Sequence, residues 1–181
     1  MSIERKANYY DEVYSQEDSR YTLPCDESIY FELWQRVMTL IPLELPIKDI
    51  GCGTGQFAEM LLKKHPDINY TGHDISDVAI SIAINRRLKC YFYPINAYTV
   101  KFNEDDFIIS LETLEHIDDF KFIDRIPMGK EIVFTVPDFN DAAHVRYFKN
   151  ITEIVNRYSR HFDFSHIEKF QSWFICKAVR I

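Results

Sequence analysis

The stretch Asp49-Ile50-Gly51-Cys52-Gly53-Thr54-Gly55 constrains this chain more than any other. It places glycine at three alternate positions. Such a turn bends sharply and lets a ligand approach backbone without meeting a Cβ. Ile47-Lys48 precedes it, behind the proline-punctuated approach Ile41-Pro42-Leu43-Glu44-Leu45-Pro46. Gln56 to His65 follows, with apolar residues at 57, 58, 60, 61 and 62 that suit a buried helical face, and Pro66 stops it. The stretch therefore reads as short strand, glycine turn and helix, and the helix start points free N–H groups into the turn.

A dinucleotide fingerprint would need its third glycine at position 56, which is Gln56. The pattern here is G-x-G-x-G with an acid, Asp49, two residues earlier. It resembles motif I of the class I S-adenosylmethionine-dependent methyltransferases. The resemblance covers residues 45–136 well and the rest loosely. It implies that Asp49 and the turn of Gly51, Cys52, Gly53 and Gly55 hold the methionine end of the cofactor. Cys52 is also read as structural, because the turn needs a small side chain there.

A second acid supports the resemblance. Ile68 to Ile75 looks like a strand ending in Asp74, 23 residues past Gly51 and close to the roughly 20 expected. A carboxylate there can accept both hydroxyls of an adenosine ribose, with Ile75 packed on the adenine. Asp74 is alternatively a helix cap, a task open to Ser76 and Asp77 as well.

With 181 residues, 46% hydrophobic and 27% charged, the chain is long enough for one domain with a sizeable core. A net charge of −7 argues against tracking a long nucleic acid, which needs a basic face. Cys25, Cys52, Cys90 and Cys176 form no C-x-x-C pair and read as reduced thiols of a cytoplasmic protein. No run reaches membrane-spanning length.

Taken in order, residues 1–45 hold an N-terminal lid and a helix. Tyr9, Tyr10, Tyr14 and Tyr21 stand among many charges, as a polar arm or as a lid ordering over the cofactor, with Tyr14 a cofactor contact. Residues 27–40 show helical spacing. Residues 46–136 alternate strand and helix: strands at 47–50, 69–74, 90–95, 106–111 and 131–136, helices at 55–65 and from the Ser76 cap to about Lys89. Residues 137–160 form a substrate loop and helix, and 161–181 an antiparallel hairpin. The fold expected is α/β, a Rossmann-like doubly wound, seven-stranded, mostly parallel sheet with one antiparallel strand in a C-terminal hairpin.

The third strand ends in Ile95-Asn96-Ala97. The resemblance gives Asn96 the adenine amino group and Ala97 a ring nitrogen; Asn96 otherwise caps a turn. The fourth strand runs into Leu111-Glu112-Thr113-Leu114-Glu115-His116-Ile117 and should wall the pocket beside the methyl group, with Leu111 against the cofactor. Turned helically, Glu112, Glu115 and His116 share one face as a divalent-metal half-site. The L-E-x-x-E-H pattern resembles ubiquinone-biosynthesis O-methyltransferases. It also resembles small-RNA 3′-terminal 2′-O-methyltransferases, in which both Glu and the His bind Mg2+ with a second His. His144, after strand 5, can complete that set. Without metal, His144 is the general base, with His116 and Glu112 as its catalytic neighbours. Arg146 is either a clamp for a substrate carboxylate or phosphate, or a surface residue.

The sequence thus points to S-adenosylmethionine as cofactor, with Mg2+ or Mn2+ as a second, and to methyl transfer onto an oxygen of a small acceptor such as a sugar, a phosphorylated metabolite or a catechol-like ring. The expected assembly is a monomer or homodimer, with no long nucleic acid and no membrane as partner. The alternatives are an RNA 3′-end 2′-O-methyltransferase and a non-catalytic cofactor-binding partner subunit.

Overall fold

The computed structural model describes residues 3–16 and 20–181. The helices are α1 (Ala7–Tyr14), α2 (Phe31–Met38), α3 (Gln56–Lys64), α4 (Asp77–Asn85), α5 (Asp119–Ile123) and α6 (Ile151–Tyr158). The strands are β1 (Ile47–Ile50), β2 (Tyr70–Asp74), β3 (Tyr91–Pro94), β4 (Phe107–Leu111), β5 (Glu131–Pro137), β6 (Phe162–Phe170) and β7 (Trp173–Arg180). They form one seven-stranded sheet in the order β3-β2-β1-β4-β5-β7-β6. The pairs β3/β2, β2/β1, β1/β4 and β4/β5 are parallel, whereas β7 runs antiparallel to both β5 and β6. This is the Rossmann-like α/β sheet the sequence predicts, with β7 reversed.

Period-two alternation sends residues of each central strand to opposite faces. Phe107, Ile109 and Val133 enter one apolar cluster with Trp34, Phe57 and Leu61, while Ile108, Ile132 and Phe134 enter the other with Phe122, Tyr158 and Phe162. Both faces are covered, so β4 is buried throughout, as a continuous apolar run in a parallel sheet requires.

Local boundaries have local causes. Ser76 Oγ accepts from Ala79 N at 3.0 Å and starts α4. That helix ends at Asn85, short of Lys89, and Arg87 has a φ of 56°. Residues 112–117 do not form the expected helical turn: Glu112 has a φ of 50°, which breaks helical propagation at the first residue. Among the described residues, no helix is long and apolar enough to cross a membrane.

Candidate functional site

Strand order reverses between β1 and β4, and the carboxyl ends of β2, β1, β4 and β5 open there into a cavity of about 380 Å3. Helix α1 roofs it. The glycine turn forms its floor, and its three glycines differ in role. A Cβ on Gly51, where φ is 82°, would sit 2.1 Å from Thr113 Oγ1, so this glycine serves the packing of the loop after β4. A Cβ on Gly53 would point under the Tyr14 hydroxyl at 3.4 Å, facing the roof. Gly55 packs instead against Phe92 and Ala83. Cys52 turns its sulfur back towards Gly72, a structural placement.

Asp49 and Asp74 stand at the ends of β1 and β2. Asp49 is 2% exposed. Its Oδ2 accepts from the Tyr70 hydroxyl, and its Oδ1 is buried with no partner. Burial pushes its carboxyl up to about 7, against the Tyr70 hydrogen bond. Asp74 is also raised by burial, while backbone N–H donors oppose the shift. Gly53 N donates to its Oδ2 and Ser76 N to its Oδ1, each at 2.9 Å. Asp74 therefore ties the glycine turn to the start of α4 and still lines the cavity. Ile75, Ala97 and Leu111 line it too. Asn96 lines it as well; its Oδ1 accepts from Tyr98 N at 2.9 Å, a turn contact that leaves its second lone pair free.

The arm is docked at three points. Asp11 Oδ1 accepts from Ser76 Oγ at 2.6 Å, Arg5 donates to Ala142 O at 3.1 Å, and Tyr98 donates to Glu4 at 2.6 Å. Tyr10 and Tyr14 line the cavity, and the Tyr10 hydroxyl is buried without a partner.

Beyond the turn, the cavity ends in a cluster from β4 and β5. Glu115 is fully buried, and neither carboxylate oxygen has a hydrogen-bond partner. His116 Nε2 is 3.8 Å from Glu115 Oε1, and the His116 and His144 ring centroids are 4.8 Å apart. His116 Nδ1 lies 3.2 Å from Ala143 O, and His144 Nδ1 lies 3.2 Å from Phe139 O. A carbonyl only accepts, so both rings carry the proton on Nδ1 and present the Nε2 lone pair. One potential ligand atom from each of Glu115, His116 and His144 falls within 4.8 Å of the others. Burial, followed by the charge of Glu112, pushes the Glu115 carboxyl well up. Burial, with His144 adjacent, pushes His116 down to about 4, and burial also lowers His144.

Glu112 stands outside that group of three. Its Oε2 accepts from Trp173 Nε1 at 2.7 Å, while its N–H donates to Thr135 Oγ1 at 2.9 Å. Arg146 is no clamp. It donates to Leu114 O and to Ile117 O (2.7 Å) and pairs with Asp119 at 3.1 Å, bracing the loop from beneath. Tyr30 and Phe139 also line the cavity, and Trp173 stands behind Glu112. The sequence carries no local signal for these aromatic residues, which lie far from Glu112 along the chain.

Residues 49–125 match a family model described as a methyltransferase domain. Among solved structures of similar fold, the N-methyltransferase NodS from Bradyrhizobium japonicum WM9, in complex with S-adenosyl-L-homocysteine, is 16% identical over 96% of this chain and 97% of its own, with a TM-score of 0.68. Magnesium protoporphyrin IX methyltransferase from Synechocystis PCC 6803, with bound SAM, is 16% identical over 96% of this chain and 90% of its own, with a TM-score of 0.62. The [4+2]-cyclase SpnF is 15% identical over 99% of both chains, with a TM-score of 0.74. No curated protein sequence matches the chain significantly.

Proposed function

We propose that this chain, which matches a methyltransferase-domain model over residues 49–125 and shares the fold of solved methyltransferases, is itself a methyltransferase that uses S-adenosylmethionine to methylate an oxygen of a small acceptor beside a divalent-cation site. Because the same fold carries a cyclase, the proposal rests on the site. The cavity fits the cofactor: Asp49 Oδ1 is an unmet buried acceptor suited to the amino group of the methionine end, and Gly53 leaves that floor without a side chain. Asp74 would take the ribose hydroxyls on the lone pairs its backbone donors leave free. When bound, the cofactor supplies a methyl group on a sulfonium, open to direct displacement. The chain's task is alignment, exclusion of water by Tyr10 and Tyr14, and control of the acceptor proton.

One observation carries the acceptor side: two imidazoles locked by backbone carbonyls offer their Nε2 lone pairs beside a buried carboxylate with both oxygens unmet. That is the donor set and outer-shell arrangement of a divalent metal site. Glu115, His116 and His144 would hold the ion. A cation there would act as a Lewis acid on the acceptor oxygen. Three gathered donors, with Glu112 engaged by Trp173, and the arm docked across the opening support a small acceptor over an RNA end. The reading also supports a protein that needs no partner chain to complete its site.

The test is calorimetric titration with Mn2+ in the presence of S-adenosylhomocysteine, on the wild type and on Glu115→Gln. Binding at one site in the wild type, weakened at least ~10-fold in the variant, is expected. Absence of Mn2+ binding with the homologue bound removes the metal and leaves His144 as the proton acceptor. Absence of binding by the homologue removes the methyltransferase reading itself.

A further inference from the structure

Glu112 is left over from the metal cluster, and its surroundings specify what it faces. Its left-handed backbone, with φ 50°, is unusual for a residue other than glycine. Thr135 holds the N–H and Trp173 holds Oε2. Oε1 remains buried without a hydrogen-bond partner, on a residue that lines the cavity. Strained backbone and two tertiary hydrogen bonds thus fix one carboxylate oxygen with nothing to accept from.

A cationic group would meet this oxygen. Six carboxylates and two arginines line the cavity. Arg5 is engaged by Ala142 O and the Tyr9 ring, and Arg20 by Tyr21. Among the described residues, no lysine or arginine forms an ion pair with Glu112 or Glu115. Aromatic rings gather around Trp173, the residue that holds Glu112. Trp173 donates to Glu112, the Tyr30 ring lies 5.6 Å from Trp173, and Phe139 lies 6.3 Å from Trp173. Aromatic faces beside a carboxylate suit a compact organic cation, which gains both the charge-assisted hydrogen bond and the ring quadrupoles. A phosphate would meet the same charge as the carboxylate and gain nothing from those rings.

We infer that Glu112 Oε1, walled by Tyr30, Phe139 and Trp173, is a specificity subsite for a protonated amine on the methyl acceptor. The inference rests on the acceptor reading above and narrows it: the acceptor is a small amino alcohol, amino sugar or aminoalkyl catechol. An ammonium held at Glu112 has no lone pair to methylate. The amine is therefore the handle, and the hydroxyl near Glu115, His116 and His144 is the nucleophile.

The experiment compares amine and alcohol partners of one shape: ethanolamine with ethylene glycol, dopamine with hydroxytyrosol, glucosamine with glucose. Each is titrated into protein saturated with S-adenosylhomocysteine and Mn2+, followed by tryptophan fluorescence. In the wild type, at least one amine should bind about tenfold or more tighter than its alcohol, as expected for a charge-assisted hydrogen bond. In Glu112→Gln, which keeps an acceptor for Trp173, that preference should fall to about twofold or less, while Mn2+ still binds at one site. No amine preference in any pair overturns the inference. So does a preference that survives Glu112→Gln. So does abolition of Mn2+ binding in that variant, which would make Glu112 a fourth metal ligand. These readings require no methyl transfer. Saturation with the homologue is measured first, so failure of the methyltransferase reading appears before the amine comparison begins.

Discussion

Replacing Asp49 with asparagine should stabilise the protein while it weakens cofactor binding. Asp49 is 2% exposed, and burial lifts its carboxyl from the ordinary 3.8 to about 7. The unfolded chain therefore ionises this group between pH 3.8 and about 7 while the folded chain keeps it protonated. Stability is full below 3.8 and is lost as pH rises towards about 7. At ~1.36 kcal/mol for each pH unit, the loss amounts to about 4 kcal/mol at most. The amide introduced by Asp49→Asn would still accept from Tyr70 but leave its NH2 facing the cavity, a desolvation cost of ~1–3 kcal/mol. The net gain is about 2 kcal/mol at pH 8, or ~4–8 °C in Tm for a chain of this size. Binding of S-adenosylhomocysteine should fall by ~1.5–3 kcal/mol, about ten- to a hundredfold, since a neutral amide replaces a carboxylate opposite an ammonium. Thermal melts at pH 8 and pH 4, with calorimetry at pH 8, separate the effects. A gain at pH 8 that shrinks at pH 4, with weakened binding, is expected. A variant less stable than wild type at pH 8, or one that binds normally, would refute the reasoning.

Three further outcomes follow from the same geometry. Asp74→Ala removes two hydrogen bonds to ribose and should weaken the homologue by ~2–4 kcal/mol, measured by calorimetry; unchanged affinity refutes the ribose assignment. Gly51→Ala drives a Cβ to 2.1 Å from Thr113 Oγ1 at a φ of 82°, and its strain and overpacking should cost ~2–4 kcal/mol in denaturant unfolding. Gly53→Ala, whose Cβ meets only the Tyr14 hydroxyl at 3.4 Å, should cost ~1–2 kcal/mol in folding and chiefly impair binding; equal folding costs for the two refute this division. Amides of Ala7–Tyr14 should exchange more slowly once the homologue binds, since the arm docks over it; equal exchange with and without it refutes a closing arm.

The glycine turn and the elements that flank it are legible in the sequence because their signals are local. A glycine turn between an apolar strand and an apolar helix needs no distant partner to be read, and Asp74 follows at a distance set by one helix and one strand. The sheet order then brings the ends of β4 and β5 together, which is why Glu115, His116 and His144 meet. Glu112 departs from its sequence reading for a tertiary reason. Its spacing with Glu115 and His116 fits a helical face, yet Thr135 and Trp173, 23 and 61 residues away in sequence, hold it in a left-handed conformation. Arg146 likewise reads as free for a substrate anion; buried Asp119 and two loop carbonyls claim it. Asn96 serves a turn through Tyr98 N and keeps a second lone pair for a ligand. Tertiary packing decides Glu112 and Arg146 through partners far along the chain.

The central claim is tested most directly by a crystal structure of the chain grown with S-adenosylhomocysteine and Mn2+, with anomalous data collected to locate manganese. The homologue should lie along the glycine turn, its amino group at Asp49 and its ribose at Asp74, with one manganese peak bound by Glu115 and by Nε2 of His116 and His144. A homologue bound there without manganese would contradict the metal site; its density elsewhere, or none at all, would contradict the function proposed for the cavity.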